Sequence, residues 1–537
     1  MKNYNNDTYI KKINDYAQEA YIWAEDRLID KAVNMNIKKI IQEVELSKKN
    51  MNEKLNNLEN LLISEIKRYL LTYDKNELII VLLGLKAYLR TEISSSTENA
   101  VDYELCNRHE EILWLIKITL FSCESEFKNR SLIDGTKNLA MSFRFIYYYN
   151  VLKDNIECFL EQLDKEDSDR EVAISDFFKE GVFYTDEYNK YMNDVLSIGL
   201  MENPDDTNIE TLSIKQQMEI EGINKEEIKK NIDNIINKYF GFDFNNLYDF
   251  IYWGLKQKPE KFLIIKDKEE YFKLIEQELG KSYDVFNNII KTFSLNSLVE
   301  RNDLSSDLRH IELRSIFEIE NTIIFYPFDF AFNSSCFEKF MLRRHFVEYY
   351  SVLLNTNEKD NLNRELSKYE ADISTYLSYV IAEQLHLNGY KLPMKNNCPC
   401  VEVGSIVVKN QVNILKNKNG TLGDIDVLAL DEMKKEIYNI EIKYYKPLQK
   451  LREINSENKI NEREKNLVTP QKRARILEEN IHYVVEFLGG QVTDGEEYKV
   501  RTVVLTPRPD YWLLTGSKDI EYYTWIDFIN NVKKKSI

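Results

Sequence analysis

At 537 residues and 63.8 kDa, the chain is too long for one ordinary hydrophobic core, which favours about two to four domains. Hydrophobic residues make up 43% of it and charged residues 30%, a composition typical of a globular protein and not of a disordered one. The formal net charge of −17 excludes a protein coated in positive potential, which nonspecific binding to phosphates would favour.

The sequence lacks the patterns of a membrane-spanning or secreted protein. No uninterrupted apolar stretch approaches the roughly 20 residues needed to cross a bilayer, and the first residues lack the apolar core of a signal peptide. Six cysteines in so long a chain do not form a disulfide framework. We therefore expect a cytoplasmic protein without a membrane partner.

Residues 1–240 are predicted to be mainly helical. Segments such as INDYAQEAYIWAEDRLIDKAV and LENLLISEIKRYLL space their apolar residues three and four apart, with few glycines or prolines between them. A helical region of this size suggests assembly with a partner protein or with a second copy of the chain.

Residues 241–360 show a mixed α/β pattern and are interpreted as a connecting region. Within them, SIFEIENTIIFYPFDFAF holds two β-rich runs around Glu320 and Asn321, which predicts a hairpin. The polar segment NTNEKDNLN at residues 355–363 is interpreted as a linker. The chain is thus expected to be a multidomain α+β protein whose third part is residues 361–537.

This third part has the pattern of a compact α/β unit. An amphipathic helix over residues 362–387 ends near Gly389, and the strand-like VEVGSIVV follows. Residues 424–430 and 436–443 predict a hairpin. A second helix is predicted to begin at Thr469 and Pro470, and RTVVLTPR returns as a strand. The apolar face of this second helix would comprise Ala474, Leu477, Ile481, Val484, Val485 and Leu488.

The predicted hairpin places several charges together. If Leu430 and Ile437 are the last facing pair before the turn, Asp426 faces Glu441, and Asp424 faces Lys443. Alternation would then direct Ile425, Val427, Ala429, Ile440 and Ile442 to the other face and into the core. An ordinary surface hairpin shows the same alternation, so the interpretation that these charges have no chemical role also stays open.

Two facing carboxylates repel each other unless a cation lies between them. Oxygen ligands from Asp426 and Glu441 suit Mg²⁺, which readily shares phosphate oxygens with a protein. Lys443 could then position a water molecule or stabilise developing charge.

These residues resemble the PD-(D/E)xK nuclease superfamily, whose core has the order αβββαβ. The resemblance covers about residues 366–537 and rests on GDID at 423–426, on EIK at 441–443 and on the element order. It implies that Asp426 and Glu441 are catalytic metal ligands, that the carbonyl of Ile442 is a further ligand, and that Lys443 is the catalytic lysine. The implied cofactor is Mg²⁺, with Mn²⁺ as a substitute.

Many members of that family also have a glutamate on the first core helix, and two residues compete for this role here. We prefer Glu370 to Glu383 because apolar Ile373 and Leu377 follow it, as in the family's usual helix. Similar nucleases often have Gln or Lys on the second core helix, facing the active site. Gln471 and Arg475 lie one turn apart there and are the candidates for binding substrate, although a solvated helix face accounts for them equally well.

Charge also favours nucleic acid at this end of the chain. Residues 441–475 contain ten Lys or Arg and five Glu, a local positive balance on an acidic protein. The expected function is therefore metal-dependent endonuclease activity on nucleic acid, with DNA favoured by the resemblance. By analogy, it would serve a bacterial restriction or antiviral defence role. The alternative is a helical sensor or binding protein whose nuclease-like domain is inactive.

Overall fold

The computed structural model describes a chain in which helices predominate and a smaller part forms sheets. Contacts divide the chain into two compact units, one of residues 1–184 and 232–364 and the other of residues 185–231 and 365–537. The expectation of a mixed α+β fold is confirmed, whereas the three-part division stays a prediction. The described residues are 7–47, 49–95, 103–165, 172–179, 225–257, 264–300, 308–341, 350, 354–395, 398–403, 408–409, 412–413, 416–417, 420–443, 457–492, 497–506 and 520–534.

The first unit begins with a run of helices, several of which bury one apolar stripe, as the apolar spacing predicts. In one of them, Ile29, Val33, Ile37 and Ile40 are buried at four- and three-residue spacing, and the carboxylate of Asp26 caps the start by accepting from the Leu28 N–H at 2.7 Å. The α-helices among the described residues up to 165 are α1 (Asp7–Trp23), α2 (Arg27–Glu45), α3 (Met51–Leu70), α4 (Lys75–Ser95), α5 (Tyr103–Phe121) and α6 (Lys137–Lys165).

Later residues of the first unit add a small antiparallel sheet among further helices. The predicted hairpin is confirmed, because Ile316–Ile319 pairs antiparallel with Thr322–Phe325 and Glu320 at the turn has φ 51°. The end of the same β-rich sequence forms a helix, Pro327–Met341, instead. Helix α7 (Lys225–Phe240) spans the division between the two units at residues 231 and 232. The elements that follow it are α8 (Phe244–Gln257), β1 (Ile264–Asp267), α9 (Lys268–Leu279), α10 (Tyr283–Phe293), α11 (Asn296–Glu300), α12 (Arg309–Glu312), β2 (Ile316–Ile319), β3 (Thr322–Phe325) and α13 (Pro327–Met341).

A buried ionic network joins distant parts of the first unit's sequence. Asp329 on α13 accepts from Lys86 at 3.0 Å and from Arg90 at 2.6 Å, and both cations lie on α4. Lys86 also donates to the carbonyl of Arg314 at 2.6 Å, and Arg90 donates to Asn333 at 2.8 Å. Because such charges are costly to bury without partners, this network helps to fix α13 against α4.

Helix α14 (Thr356–Leu387) covers the predicted linker, so this segment is helical, although the division between the two units falls directly after it, between residues 364 and 365. Asn355 and Glu358 form reciprocal caps: the Glu358 N–H donates to the Asn355 side chain at 3.0 Å, and the Asn355 N–H donates to the Glu358 carboxylate at 2.9 Å. This capping box starts the helix inside the polar segment. Its end is close to the prediction, and Gly389 follows in the left-handed region at φ 85°.

The second unit contains a mixed four-stranded sheet in the order β10–β11–β12–β13. Strand β10 (Val427–Asp431) pairs antiparallel with β11 (Glu436–Ile442), which pairs parallel with β12 (Lys499–Thr506), and β12 pairs parallel with β13 (Glu521–Thr524). The parallel connection between β11 and β12 contains helices α15 (Glu457–Glu479) and α16 (Ile481–Phe487), and α17 (Trp525–Lys534) follows β13.

Among the described residues, short antiparallel strand pairs precede this sheet. They are β4 (Met394–Lys395) with β5 (Cys398–Pro399), β6 (Val408–Lys409) with β7 (Val412–Asn413), and β8 (Lys416–Asn417) with β9 (Gly420–Thr421).

Both faces of the hairpin are buried, which differs from the prediction of one apolar and one charged face. Leu428, Leu430 and Ile437 lie on the face that bears Glu441, and they pack with Leu477 of α15 and Val484 of α16. Val427, Ala429, Ile440 and Ile442 on the other face are buried as well. The charged end of the hairpin therefore continues a hydrophobic core that is covered by helices.

The second core helix begins earlier than predicted. Helix α15 starts at Glu457, so Pro470 lies inside it, and the helix ends before Asn480, where α16 begins. Proline normally costs a helix interior about 3 kcal/mol, because it removes one hydrogen bond and crowds the preceding turn. Here the Pro470 carbonyl accepts a hydrogen bond from the Asn439 side chain of β11 at 3.0 Å, a tertiary contact that no local pattern reveals.

Candidate metal site on the hairpin

The register of the hairpin brings two carboxylates to the same place. Val427 pairs with Ile440 and Leu430 with Ile437, as predicted, and the ladder ends at Val427. Its continuation by one step would set Asp426 opposite Glu441, and the two carboxylates are close enough for the charge of Glu441 to act on Asp426. Asp426 lies just before β10, and its Oδ2 accepts from the Ile442 N–H at 2.6 Å. This hydrogen bond ties the GDID segment to the end of β11.

Glu441 is buried, with 5% of its surface exposed, and it has two cationic partners. Lys443, two residues further along the chain, places its Nζ 2.5 Å from Oε1. Arg473 of α15 donates from Nη1 to Oε2. Asp426, Glu441, Lys443 and Arg473 thus form a cluster with two acidic and two basic side chains.

Arg473 is the member of this cluster that the sequence analysis missed. It is only 4% exposed, and its Nε donates to the carbonyl of Leu422 at 3.0 Å, so one guanidinium bridges the GDID segment and Glu441. Gly423 has φ +75°, and a Cβ at this glycine would lie 3.0 Å from Nη2 of Arg473. One signal was present: Arg473 precedes buried Leu477 by four residues, which places a cation on the apolar face of the helix.

The surroundings of Asp426 strongly disfavour its charged form. Burial raises the pKa of Asp426 most, the negative charge of Glu441 raises it further, and the result is a pKa of about 7. The Ile442 N–H and the charges of Lys443 and Arg473 act in the opposite direction. Since burial and a neighbouring carboxylate both oppose ionisation, an additional cation at this point would be favoured.

The remaining candidates lie outside the cluster or outside the described side chains. Gln471 is partly buried and Arg475 is exposed, and their roles in binding substrate stay predictions. Glu370 belongs to α14, but its side chain is not among those described, whereas Glu383 is buried on the same helix. Asp424 is exposed and precedes β10, so its predicted pairing with Lys443 is not part of the strand ladder.

Much of the predicted basic surface also lies outside the described residues. These include residues 444–456 and the side chains of residues 457–467. Among the basic residues that are described, Arg473 is buried and therefore adds no charge to a surface.

The oxygen atoms of the cluster are compatible with a hard divalent cation. Mg²⁺ commonly uses one or two carboxylates and keeps several waters, and the oxygens of Asp426 and Glu441 are of that kind. A carboxylate has about four lone-pair sites, so the ion pairs of Glu441 do not exhaust its capacity. Within the described ranges, no group of three or more His, Cys, Asp or Glu side chains is arranged to hold a metal ion.

Comparisons with other proteins provide no relative for this chain. No family model matches the sequence, and neither the curated proteins nor the solved structures yield a match. Among the described helices, none is long and apolar enough to cross a membrane.

Proposed function

We propose that the chain is a metal-dependent nuclease that hydrolyses phosphodiester bonds, with DNA as the favoured substrate. The observation that carries the proposal is the apposition of Asp426 and Glu441, with Lys443 bound to Glu441. The raised pKa of Asp426 supports it, because perturbed carboxylates next to a lysine are frequent at catalytic sites. By resemblance, the role would be bacterial restriction or antiviral defence.

In this proposal, Asp426, Glu441 and the carbonyl of Ile442 hold Mg²⁺. Mg²⁺ bound there would supply Lewis acidity and would lower the pKa of a coordinated water molecule. Lys443 has three N–H donors, one of which is directed at Glu441, and the others can donate to a phosphate oxygen on which charge develops. Arg473 and the Ile442 N–H fix the orientations of Glu441 and Asp426.

The second candidate function is a sensor or binding protein whose nuclease-like part is inactive. One observation favours it: both oxygens of Glu441 are engaged by cationic side chains of the protein itself. If Arg473 and Lys443 fully replaced the metal, the cluster would be a structural ion network. Metal titration separates the two functions, since an inactive remnant has no need of Mg²⁺ or Mn²⁺.

The proposal is tested by incubating the full chain with plasmid, single-stranded DNA and RNA, with and without Mg²⁺. Asp426→Ala or Glu441→Ala should abolish cleavage, because each removes a ligand. Lys443→Ala should retain metal binding and lose activity on the order of 10²-fold. Asp424→Ala is the matched control, since it removes an exposed aspartate from the same segment and should be much milder. Cleavage at the wild-type rate by purified Asp426→Ala protein would refute the nuclease proposal.

A further inference from the structure

Arg473 occupies an unusual position for a charged side chain of a helix. It belongs to the covered side of α15, one turn before buried Leu477, and has almost no exposure to solvent. A buried guanidinium is costly unless its charge is balanced and its donors are used. Its contacts with Glu441 and with the Leu422 carbonyl meet both needs.

These two contacts connect three separate parts of the chain. Leu422 precedes the GDID segment that carries Asp426, Glu441 belongs to β11, and Arg473 belongs to α15. The left-handed turn at Gly423 lets the backbone approach Nη2 of the guanidinium closely. One planar, rigid fork therefore holds both sides of the candidate metal site, a task for which arginine is better suited than lysine.

The fully ionised form of the cluster is charge-balanced without any metal. With both carboxylates ionised, Asp426 and Glu441 contribute two negative charges, and Lys443 and Arg473 contribute two positive ones. We propose that Arg473 is a positioning residue that acts as the internal counter-ion of the carboxylate pair and holds Glu441 and the GDID segment in place before a metal binds. This inference rests on the proposed function, in which Asp426 and Glu441 are metal ligands.

The same charge should weaken metal binding. Arg473 contacts Glu441 directly, so a cation bound by that carboxylate would lie within a few ångströms of the guanidinium, where like charges repel. Lys443 would still hold the other oxygen of Glu441 if Arg473 were removed. We therefore expect loss of Arg473 to destabilise the metal-free protein and to strengthen its affinity for a divalent cation. A residue with a structural role alone would weaken metal binding when removed, because the ligands would lose their order.

The experiment uses the full chain, first freed of metal by a chelator, and the variants Arg473→Gln, Arg473→Lys and Lys434→Gln. Thermal unfolding is followed without metal and with saturating Mn²⁺, and Mn²⁺ affinity is measured by calorimetry in the absence of nucleic acid. Arg473→Gln should lower the metal-free Tm by at least about 5 °C. It should also bind Mn²⁺ at least about tenfold more tightly than the wild type, and saturating Mn²⁺ should raise its Tm by more than it raises the Tm of the wild type.

Arg473→Lys retains the positive charge but lacks the planar guanidinium that contacts Glu441 and Leu422 together, so its metal-free Tm should lie between those of the wild type and Arg473→Gln. Lys434→Gln removes an exposed cation whose Nζ lies 3.7 Å from Asp431 near the turn of the same hairpin, and it should match the wild type in both measurements. If Arg473→Gln is difficult to obtain folded, Arg473→Lys decides the matter: because it keeps the charge, it should keep the wild-type Mn²⁺ affinity while its metal-free Tm falls, and a weakened Mn²⁺ affinity would overturn the counter-ion inference.

Two failures can be told apart. If the wild type binds Mn²⁺, but Arg473→Gln binds it equally or more weakly, or has an unchanged metal-free Tm, the counter-ion inference is overturned and the proposed function stands. If the wild type binds no Mn²⁺ and cleaves no nucleic acid, the proposed function fails and the inference falls with it.

Discussion

Asp426 lies between opposing electrostatic influences, and those that raise its pKa prevail. Burial and the charge of Glu441 raise its pKa, while the Ile442 N–H, Lys443 and Arg473 lower it. The result, about 7 compared with 3.8 for an ordinary aspartate, means that protonated and ionised forms are both present near pH 7. A small change in this environment should therefore change the charge of the site.

This balance predicts a pH dependence of metal binding in the wild-type protein. A metal ligand must be deprotonated, so Mn²⁺ competes with the proton on Asp426. Below the pKa of about 7, affinity should rise about tenfold per pH unit, and above it affinity should level off. Calorimetry without nucleic acid at a series of pH values measures this directly. Asp426→Asn is the control, since it should bind weakly without that slope; an affinity in the wild type that does not vary with pH would contradict the prediction.

At the scale of secondary-structure elements, the hairpin was predictable and the helix beside it was not. The pairing of Leu430 with Ile437 follows from alternation and the turn, because a slip of one residue would move every side chain to the opposite face. The same alternation placed Asp426 opposite Glu441. It could not show that helices cover the charged face, so the sequence predicted a polar face where the structure has a core.

The errors in helix boundaries have a common physical cause. The segment at Asn355 looked like a linker because it is polar, although polar capping residues are what starts a helix. Pro470 looked like a helix start because proline is common in first turns, yet the helix continues through it. Arg473 was passed over for Gln471 and Arg475 because its carboxylate partner is 32 residues away, on a strand.

Asn439 should matter for the docking of α15 on the sheet. It is fully buried and donates to the Pro470 carbonyl at 3.0 Å and to the Thr502 hydroxyl at 3.4 Å. Asn439→Ala should lower the free energy of unfolding by about 1–3 kcal/mol, since the Pro470 carbonyl and the Thr502 hydroxyl lose the amide that donates to them. Thr502→Val removes only the longer contact and should cost less. Denaturant unfolding compares the two variants, and hydrogen exchange in α15 locates the change. Equal stability of Asn439→Ala and the wild type would mean that this contact does not help to dock the helix.

At the scale of the whole molecule, the sequence predicts which segments are helical better than it predicts which segments pack together. The helical character of the described residues within 7–165 is a local property and was predicted from periodicity. That residues 1–184 and 232–364 form one compact unit depends on contacts between residues far apart in sequence. Lys86 and Asp329 are separated by 243 residues, and neither is distinguishable from a surface charge in the sequence alone.

Those buried charges give a prediction for the stability of the first unit. Asp329 has 1% of its surface exposed and pairs with both Lys86 and Arg90, and Glu312 contacts Arg90 at 3.1 Å. Burial lowers the pKa of Lys86 to about 8, and the charge of Asp329 opposes this effect. Asp329→Asn keeps the shape of the side chain and removes the charge, so Lys86 would be left buried without its counter-ion. We expect a loss of about 3–5 kcal/mol in the free energy of unfolding of this unit.

The control for this prediction is Asp176→Asn, which removes the partly exposed partner of the exposed Lys179 from the same unit and should cost less than about 1 kcal/mol. Hydrogen exchange should show the Asp329→Asn effect in α4 and α13, the helices that the network joins. Combining Asp329→Asn with Lys86→Met should recover part of the loss, because the second substitution removes the buried cation that the first one leaves unbalanced. If the single Asp329→Asn variant is as stable as the Asp176→Asn control, the network does not fix α13 against α4, and apolar packing alone holds these helices together.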